Sequence, residues 1–143
     1  MSKLRKIGPA GLILLIISFS CKKNRDDIIP NVLVDIEFNV NNPQYINLTA
    51  VGGSMYLDGG SRGIVVYRSS QSEFVAFDRH CPYNVSDPCG KVEYDTSSAL
   101  ILKDHCCGSQ FLLTDGSLYS GPATRSLKRY QTFFDGTILR IYN

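Results

Sequence analysis

Four of the five cysteines and both histidines of this 143-residue chain lie in two short segments. The first segment covers residues 78–90 and the second covers residues 104–111. Their cysteines and histidines are His80, Cys81, Cys89, His105, Cys106 and Cys107. Such a grouping is typical of a metal site or of a pair of disulfides, and the spacing alone leaves both open. Each segment follows a predicted strand, so a stack of hairpins could bring the two segments together.

The sequence after residue 31 alternates short apolar runs with turn residues, which predicts an all-β domain. Residues 34–40 alternate apolar and polar side chains, the pattern of a half-buried strand. The loop at 69–72 and the pair Asp135-Gly136 are typical of hairpin turns. The predicted strands are residues 34–40, 46–51, 63–68, 73–78, 92–94, 100–103, 111–113, 127–134 and 137–142. These short, turn-bounded strands predict an antiparallel sandwich or barrel.

The first twenty residues are typical of a secretory signal peptide. Three basic side chains within the first six residues precede an apolar stretch at 12–19, much shorter than the roughly 18–20 residues that span a bilayer. Ser20-Cys21 resembles a bacterial lipobox, which implies a lipid on Cys21; the alternative is cleavage elsewhere, with Cys21 unmodified. We expect a signal peptide of lipoprotein type over residues 1–20, a polar tether over 21–31 and a single β domain over 32–143.

The formal net charge of +2 originates in this N-terminal segment. Without its three basic residues, acidic side chains outnumber basic ones by one, so the composition does not favour nucleic-acid binding. The predicted export and lipidation would make the protein a membrane-anchored bacterial lipoprotein. It would face the periplasm or lie in the outer membrane. Its other cysteines would then lie in a compartment that permits disulfides. The expected partner is an envelope protein or a redox partner.

Several motifs within residues 74–130 resemble a Rieske-type [2Fe–2S] domain. Residues 75–78, before Cys81, are similar to the strand that leads into the family's first ligand loop. Residues 107–111 (CGSQF) are similar to the family's H-G-S-x-F motif, and residues 120–123 (SGPA) resemble its proline loop. The resemblance implies a Rieske-like antiparallel β-sandwich of three stacked sheets, with a tip formed by the two cluster-binding-type loops.

The resemblance places the four cluster-ligand positions of the family at Cys81, Tyr83, Asp104 and Cys107. In the family, two cysteines hold one iron and two histidines hold the other. Here only Cys81 keeps the family residue. Asp104 offers a hard oxygen where an iron–sulfur centre favours sulfur, and the Tyr83 phenol is ordinarily protonated at neutral pH. We therefore expect no cofactor; the alternative is a [2Fe–2S] cluster with a non-standard ligand set.

Two histidines next to these positions offer other donors. His80 precedes Cys81 and His105 precedes Cys106, so shifted loops would supply two cysteines and two histidines to a cluster. A single zinc ion on Cys81, Cys107 and His105 is a further alternative, although this spacing matches no common zinc motif.

The resemblance also implies a disulfide between the two loops. Cys106 occupies the position of the family's second-loop cysteine, and Cys89 is its expected partner. A Cys81–Cys107 bridge would then fill the space of the absent cluster. The residues alone allow three pairings, and a bond between the neighbours Cys106 and Cys107 is the least favourable because its ring is strained.

Three functions follow from these alternatives. The first is a cluster-free, disulfide-linked Rieske-like domain that acts as a binding or structural module in the envelope. The second is a [2Fe–2S] protein that passes single electrons to a redox partner. The third, a thiol–disulfide exchanger, is disfavoured because the chain has no C-x-x-C motif. We expect no hydrolase or transferase activity, since no Ser–His–Asp or paired-carboxylate arrangement stands out in the sequence.

Overall fold

The computed structural model describes residues 28–143, so the predicted signal peptide and Cys21 lie outside the described residues. In chain order the elements are β1 (Asp35–Asn39), a 3-10 helix (Pro43–Leu48), β2 (Ser54–Leu57), β3 (Ile64–Arg68), β4 (Phe74–Asp78), β5 (Val92–Asp95), β6 (Ser98–Asp104), β7 (Gln110–Leu112), β8 (Leu118–Ser120), β9 (Arg129–Phe134) and β10 (Ile138–Tyr142). Over residues 28–143, no helix has the length and apolar character needed to span a membrane.

The strands of the described part of the chain form two antiparallel sheets. The larger has the order β1-β10-β9-β4-β3-β2 and the smaller has the order β5-β6-β7-β8. Strand β9 belongs to both halves of the larger sheet, because it pairs with β10 through residues 131–134 and with β4 through Arg129 and Tyr130. The three expected sheets are therefore β1-β10-β9, β9-β4-β3-β2 and β5-β6-β7-β8, and the first two share β9. One continuous strand joins what would otherwise be separate sheets.

The two central strands β3 and β4 are buried on both faces, which explains their continuous apolar sequences. Ile64 and Val66 belong to a core shared with β1 and β10, whereas Val65 belongs to a second core shared with β6 and β7. Cys81 is part of this second core. The cysteine-rich tip therefore lies at the end of the hydrophobic layer between the two sheets.

Both predicted hairpin turns are present. Residues 69–72 lie in the connection of β3 to β4, and Asp135-Gly136 connects β9 to β10. Gly136 has a φ of +102°, a conformation that favours glycine. The Asp135 carboxylate accepts hydrogen bonds from the backbone N–H groups of Thr137 and Ile138, at 2.8 and 2.7 Å.

The strand predicted over residues 46–51 is wrong. Residues Pro43–Leu48 form the 3-10 helix instead, with proline in its first turn. Leu48 is fully buried, but Ile46 and Val51 are 64% and 51% exposed. The segment therefore lacks the alternation of buried and exposed side chains that a half-buried strand would show. Two short strands, β2 and β8, lie where the sequence predicted none.

Candidate functional site

The first loop of the tip begins at Asp78, the last residue of β4, whose side chain is fully buried. Its carboxylate accepts hydrogen bonds from the backbone N–H groups of Ser61 (2.6 Å), Arg62 (3.2 Å) and His80 (2.8 Å) and from the Tyr130 hydroxyl (2.7 Å). A buried carboxylate requires such partners. These bonds tie the connection between β2 and β3, and strand β9, to the start of the loop.

The second loop begins at Asp104, the last residue of β6, which is also fully buried. Its Oδ1 accepts a hydrogen bond from the Cys106 N–H at 2.7 Å. Its backbone N–H donates to the Ser109 carbonyl, and its carbonyl accepts from the Gly108 N–H, both at 2.9 Å. Gly108 has a φ of +78°, which closes this tight turn and keeps Cys107 close to Asp104.

A disulfide joins Cys89 of the first loop to Cys106 of the second, with Cα atoms 6.0 Å apart. This is the pairing that the resemblance implied. The Cys81 N–H also donates to the Gly90 carbonyl at 3.0 Å, which closes the first loop on itself. The two loops are thus held together covalently at one end of the tip.

Cys81, Asp104 and Cys107 converge where the two loops meet. The two sulfur atoms are 3.7 Å apart, and one potential ligand atom from each of the three residues lies within 4.8 Å of the others. Cys81 and Asp104 are fully buried, whereas Cys107 is partly exposed. Within residues 28–143 the buried Asp104 Oδ2 has no hydrogen-bond partner. Three of the four predicted cluster positions therefore meet at one point.

The predicted Cys81–Cys107 disulfide is not formed in the structure. Both cysteines are free, and their sulfur separation of 3.7 Å exceeds the length of an S–S bond, about 2.05 Å. Cys107 Sγ instead lies 3.1 Å from Ser109 Oγ and accepts the Ser109 N–H at 3.4 Å. These contacts keep the Cys107 sulfur near Ser109, so the centre of the tip holds two thiols rather than a second bridge.

Tyr83 and the two histidines lie outside this group of ligand atoms. The Tyr83 side chain is 43% exposed, and His105 is also exposed. His80 is buried, with Nδ1 2.8 Å from Ser61 Oγ and Nε2 2.9 Å from the Val85 carbonyl. Burial lowers the pKa of the His80 imidazole, which favours the neutral ring. Both His80 nitrogens are occupied by structural contacts.

Burial and the adjacent Asp104 carboxylate raise the pKa of the Cys81 thiol above its ordinary value. In the absence of a cation, Cys81 is therefore protonated at neutral pH and is a poor nucleophile. A cation at this point would stabilise the thiolate and the carboxylate together, because it is attracted to both.

Sequence reasoning overlooked the roles of two polar residues, Asp78 and Ser109. Ser109 is fully buried, and its hydroxyl oxygen accepts the Ala123 N–H at 3.1 Å while contacting the Cys107 sulfur. The G-S pair that follows Cys107 was the available signal for Ser109. Asp78 had no comparable signal, because its four donors come from three separate parts of the chain.

The sheet topology and the two-loop tip define an all-β, Rieske-like fold. Among solved structures, the chain is similar to the cyanobacterial plasma membrane Rieske protein PetC3 from Synechocystis PCC 6803, with 25% sequence identity and a TM-score of 0.51. That similarity covers 72% of this chain and 97% of the neighbour. No protein-family model matches the chain, and no curated protein matches it significantly.

The donor set at the tip does not fit the cluster of a Rieske centre. Such a centre takes two thiolates on one iron and two imidazoles on the other. Here the converging donors are two sulfurs and one carboxylate, and no histidine nitrogen of the described residues joins them. The fold of the tip is retained, but its residues offer different chemistry.

Proposed function

We propose that this chain is an exported, lipid-anchored protein whose Rieske-type domain binds no [2Fe–2S] cluster. In this proposal the domain is held by the Cys89–Cys106 disulfide and acts as a binding or structural module in the bacterial envelope. The observation that carries it is the set of side chains at the tip. Cys81, Asp104 and Cys107 converge, while Tyr83 and both histidines lie elsewhere.

The chemistry of the donors supports this proposal. A carboxylate is a hard ligand, and iron–sulfur centres favour soft sulfur donors. The two irons of a Rieske centre need four ligands in two separate pairs. Three donor atoms within 4.8 Å of one another suit a much smaller group than a pair of iron atoms bridged by sulfide.

Iron and acid-labile sulfide in the purified full-length protein test the absence of a cluster. We expect a colourless protein with neither component in stoichiometric amount when it is produced in cells that assemble iron–sulfur clusters. A Rieske protein with two cysteine and two histidine ligands, produced in the same cells, is the positive control. A brown protein with about two irons and two sulfides per chain would overturn the proposal.

That opposite result would favour a second function, a [2Fe–2S] electron carrier with a non-standard ligand set. The similarity to a Rieske protein of a plasma membrane is the observation that supports it. The retained two-loop tip and its disulfide are consistent with either function, so the analysis of iron and sulfide decides between them.

The anchor depends on residues outside the described part of the chain. The basic start, the short apolar stretch and Cys21 support export followed by lipidation. Each buried CH₂ of an acyl chain contributes about 0.8 kcal/mol, so several chains on one cysteine would hold the protein firmly in a membrane.

Replacing Cys21 with serine should abolish lipid attachment and release the protein from the membrane fraction. Labelling with a radioactive fatty acid, followed by cell fractionation, measures both effects. Ser20→Ala is the matched control, because it keeps a small residue before Cys21 and should retain the label. Equal labelling of Cys21→Ser and the unmodified sequence would contradict the proposed lipidation site.

A further inference from the structure

The free thiols of Cys81 and Cys107 are spaced as two ligands of one metal ion. A tetrahedral ion with metal–sulfur bonds of about 2.3 Å holds its two sulfur ligands about 3.8 Å apart. The observed separation is 3.7 Å. Two thiols that share a hydrogen bond lie at the same distance, so the spacing fits a metal ion without requiring one, whereas two bonded sulfurs would be much closer.

Asp104 supplies a third donor at the same point. A ligand oxygen of its carboxylate lies within 4.8 Å of both sulfurs. The Asp104 side chain is fully buried, yet in the described residues Oδ2 has no hydrogen-bond partner. An unpaired buried carboxylate oxygen is costly, and a bound cation would satisfy it.

We propose that Cys81, Asp104 and Cys107 bind a single zinc ion, with the fourth coordination position open to water or to an external ligand. Two thiolates and one carboxylate form a donor set that zinc accepts in tetrahedral geometry. The ligand set differs from the zinc alternative considered from the sequence, because Asp104 replaces the exposed His105. The inference rests on the proposed function, since a [2Fe–2S] cluster would occupy the same residues.

The surroundings of the ligands support a metal-bound state. The Ser109 N–H donates to the Cys107 sulfur, and the Ser109 hydroxyl is 3.1 Å from it, so both groups can stabilise a thiolate. The two thiols lie 3.7 Å apart, and the predicted signal peptide would place them in a compartment that permits disulfides. Coordination to a metal ion would protect both thiols from oxidation there. Cys107, the partly exposed ligand, provides access to the ion.

The test uses the full-length protein, purified anaerobically in detergent without chelators. We expect about one zinc per chain and no sulfide. After anaerobic removal of zinc without a reductant, so that the Cys89–Cys106 bridge stays intact, addition of cobalt(II) should give the thiolate-to-cobalt charge-transfer band and the intense visible bands of a tetrahedral site. Competition by zinc should abolish both.

Matched variants assign the ligands. Loss of a second-sphere partner costs about 10–100-fold in metal affinity, so loss of a ligand should cost at least about 100-fold. We expect this loss in Cys107→Ser and in Asp104→Asn, which keeps the size of the side chain. Asp87→Asn, a carboxylate beside the Cys89–Cys106 bridge, and His105→Ala should bind cobalt like the unmodified protein. Circular dichroism shows whether each variant is folded.

The outcomes separate this inference from the proposed function. A protein that contains no iron or sulfide, has Cys81 and Cys107 as free thiols and gives no tetrahedral cobalt spectrum overturns the zinc site alone. Unchanged affinity in both ligand variants also overturns it. About two irons and two sulfides per chain overturn the zinc site and the cluster-free proposal together. A cobalt spectrum that is lost in the ligand variants supports the site even if purification removed the zinc.

Discussion

Replacing Asp78 with alanine should lower the free energy of unfolding by about 4 kcal/mol, because four donors lose a buried acceptor. Three of these donors are backbone N–H groups, which keep their need for a partner when the side chain is shortened. The change also frees the first loop from Tyr130 of β9. Urea unfolding followed by tyrosine fluorescence measures the loss, since the chain has 8 tyrosines and no tryptophan.

Two further variants define how much of this effect belongs to the hydrogen bonds. Tyr130→Phe removes one donor and leaves the carboxylate with three, so we expect a loss of about 1 kcal/mol. Asp78→Asn keeps the shape of the side chain but presents an N–H to one of the donors, so its loss should be intermediate. If Asp78→Ala were no more destabilising than Tyr130→Phe, the carboxylate would not hold the loop.

The parts of the fold that could be predicted are those with local signals. Strands β3, β4 and β10 have continuous or alternating apolar residues, and the turn at Asp135-Gly136 has the residue types its conformation requires. The two strands that were missed, β2 and β8, are short edge strands that are mostly half-buried or exposed. Their extended conformation depends on pairing with a neighbour, which a local pattern does not record.

The candidate site could be predicted as a set of residues but not as a geometry. The clustering of cysteines identified both loops, and the resemblance gave the Cys89–Cys106 pairing. Cys81 and Cys107 are 26 positions apart in the sequence and lie in different loops. The distance between them depends on how the two loops pack together and on the contacts of the Cys107 sulfur with Ser109. A pattern of residue types contains neither this distance nor these contacts. A second disulfide was therefore expected where the structure has two free thiols.

Removing the Cys89–Cys106 disulfide should lower the free energy of unfolding by about 3 kcal/mol. The bridge links residues 17 positions apart, and in the chain-entropy model a loop of this length restricts the unfolded state by that amount. The double variant Cys89→Ala with Cys106→Ala avoids leaving a new free thiol. Urea unfolding of this variant and of the unmodified protein, both without reductant, measures the difference.

A second measurement separates the bridge from the packing of its side chains. The unmodified protein, reduced at this bridge alone as verified by thiol alkylation and mass analysis, should match the double variant to within about 1 kcal/mol, because chain entropy depends on the bond and not on the alanines. A loss below about 1 kcal/mol in both would mean that the loops stay close in the unfolded chain without the bond. Since Cys106 adjoins Cys107, an effect of the double variant on cobalt affinity would further show that the bridge positions the proposed zinc ligands.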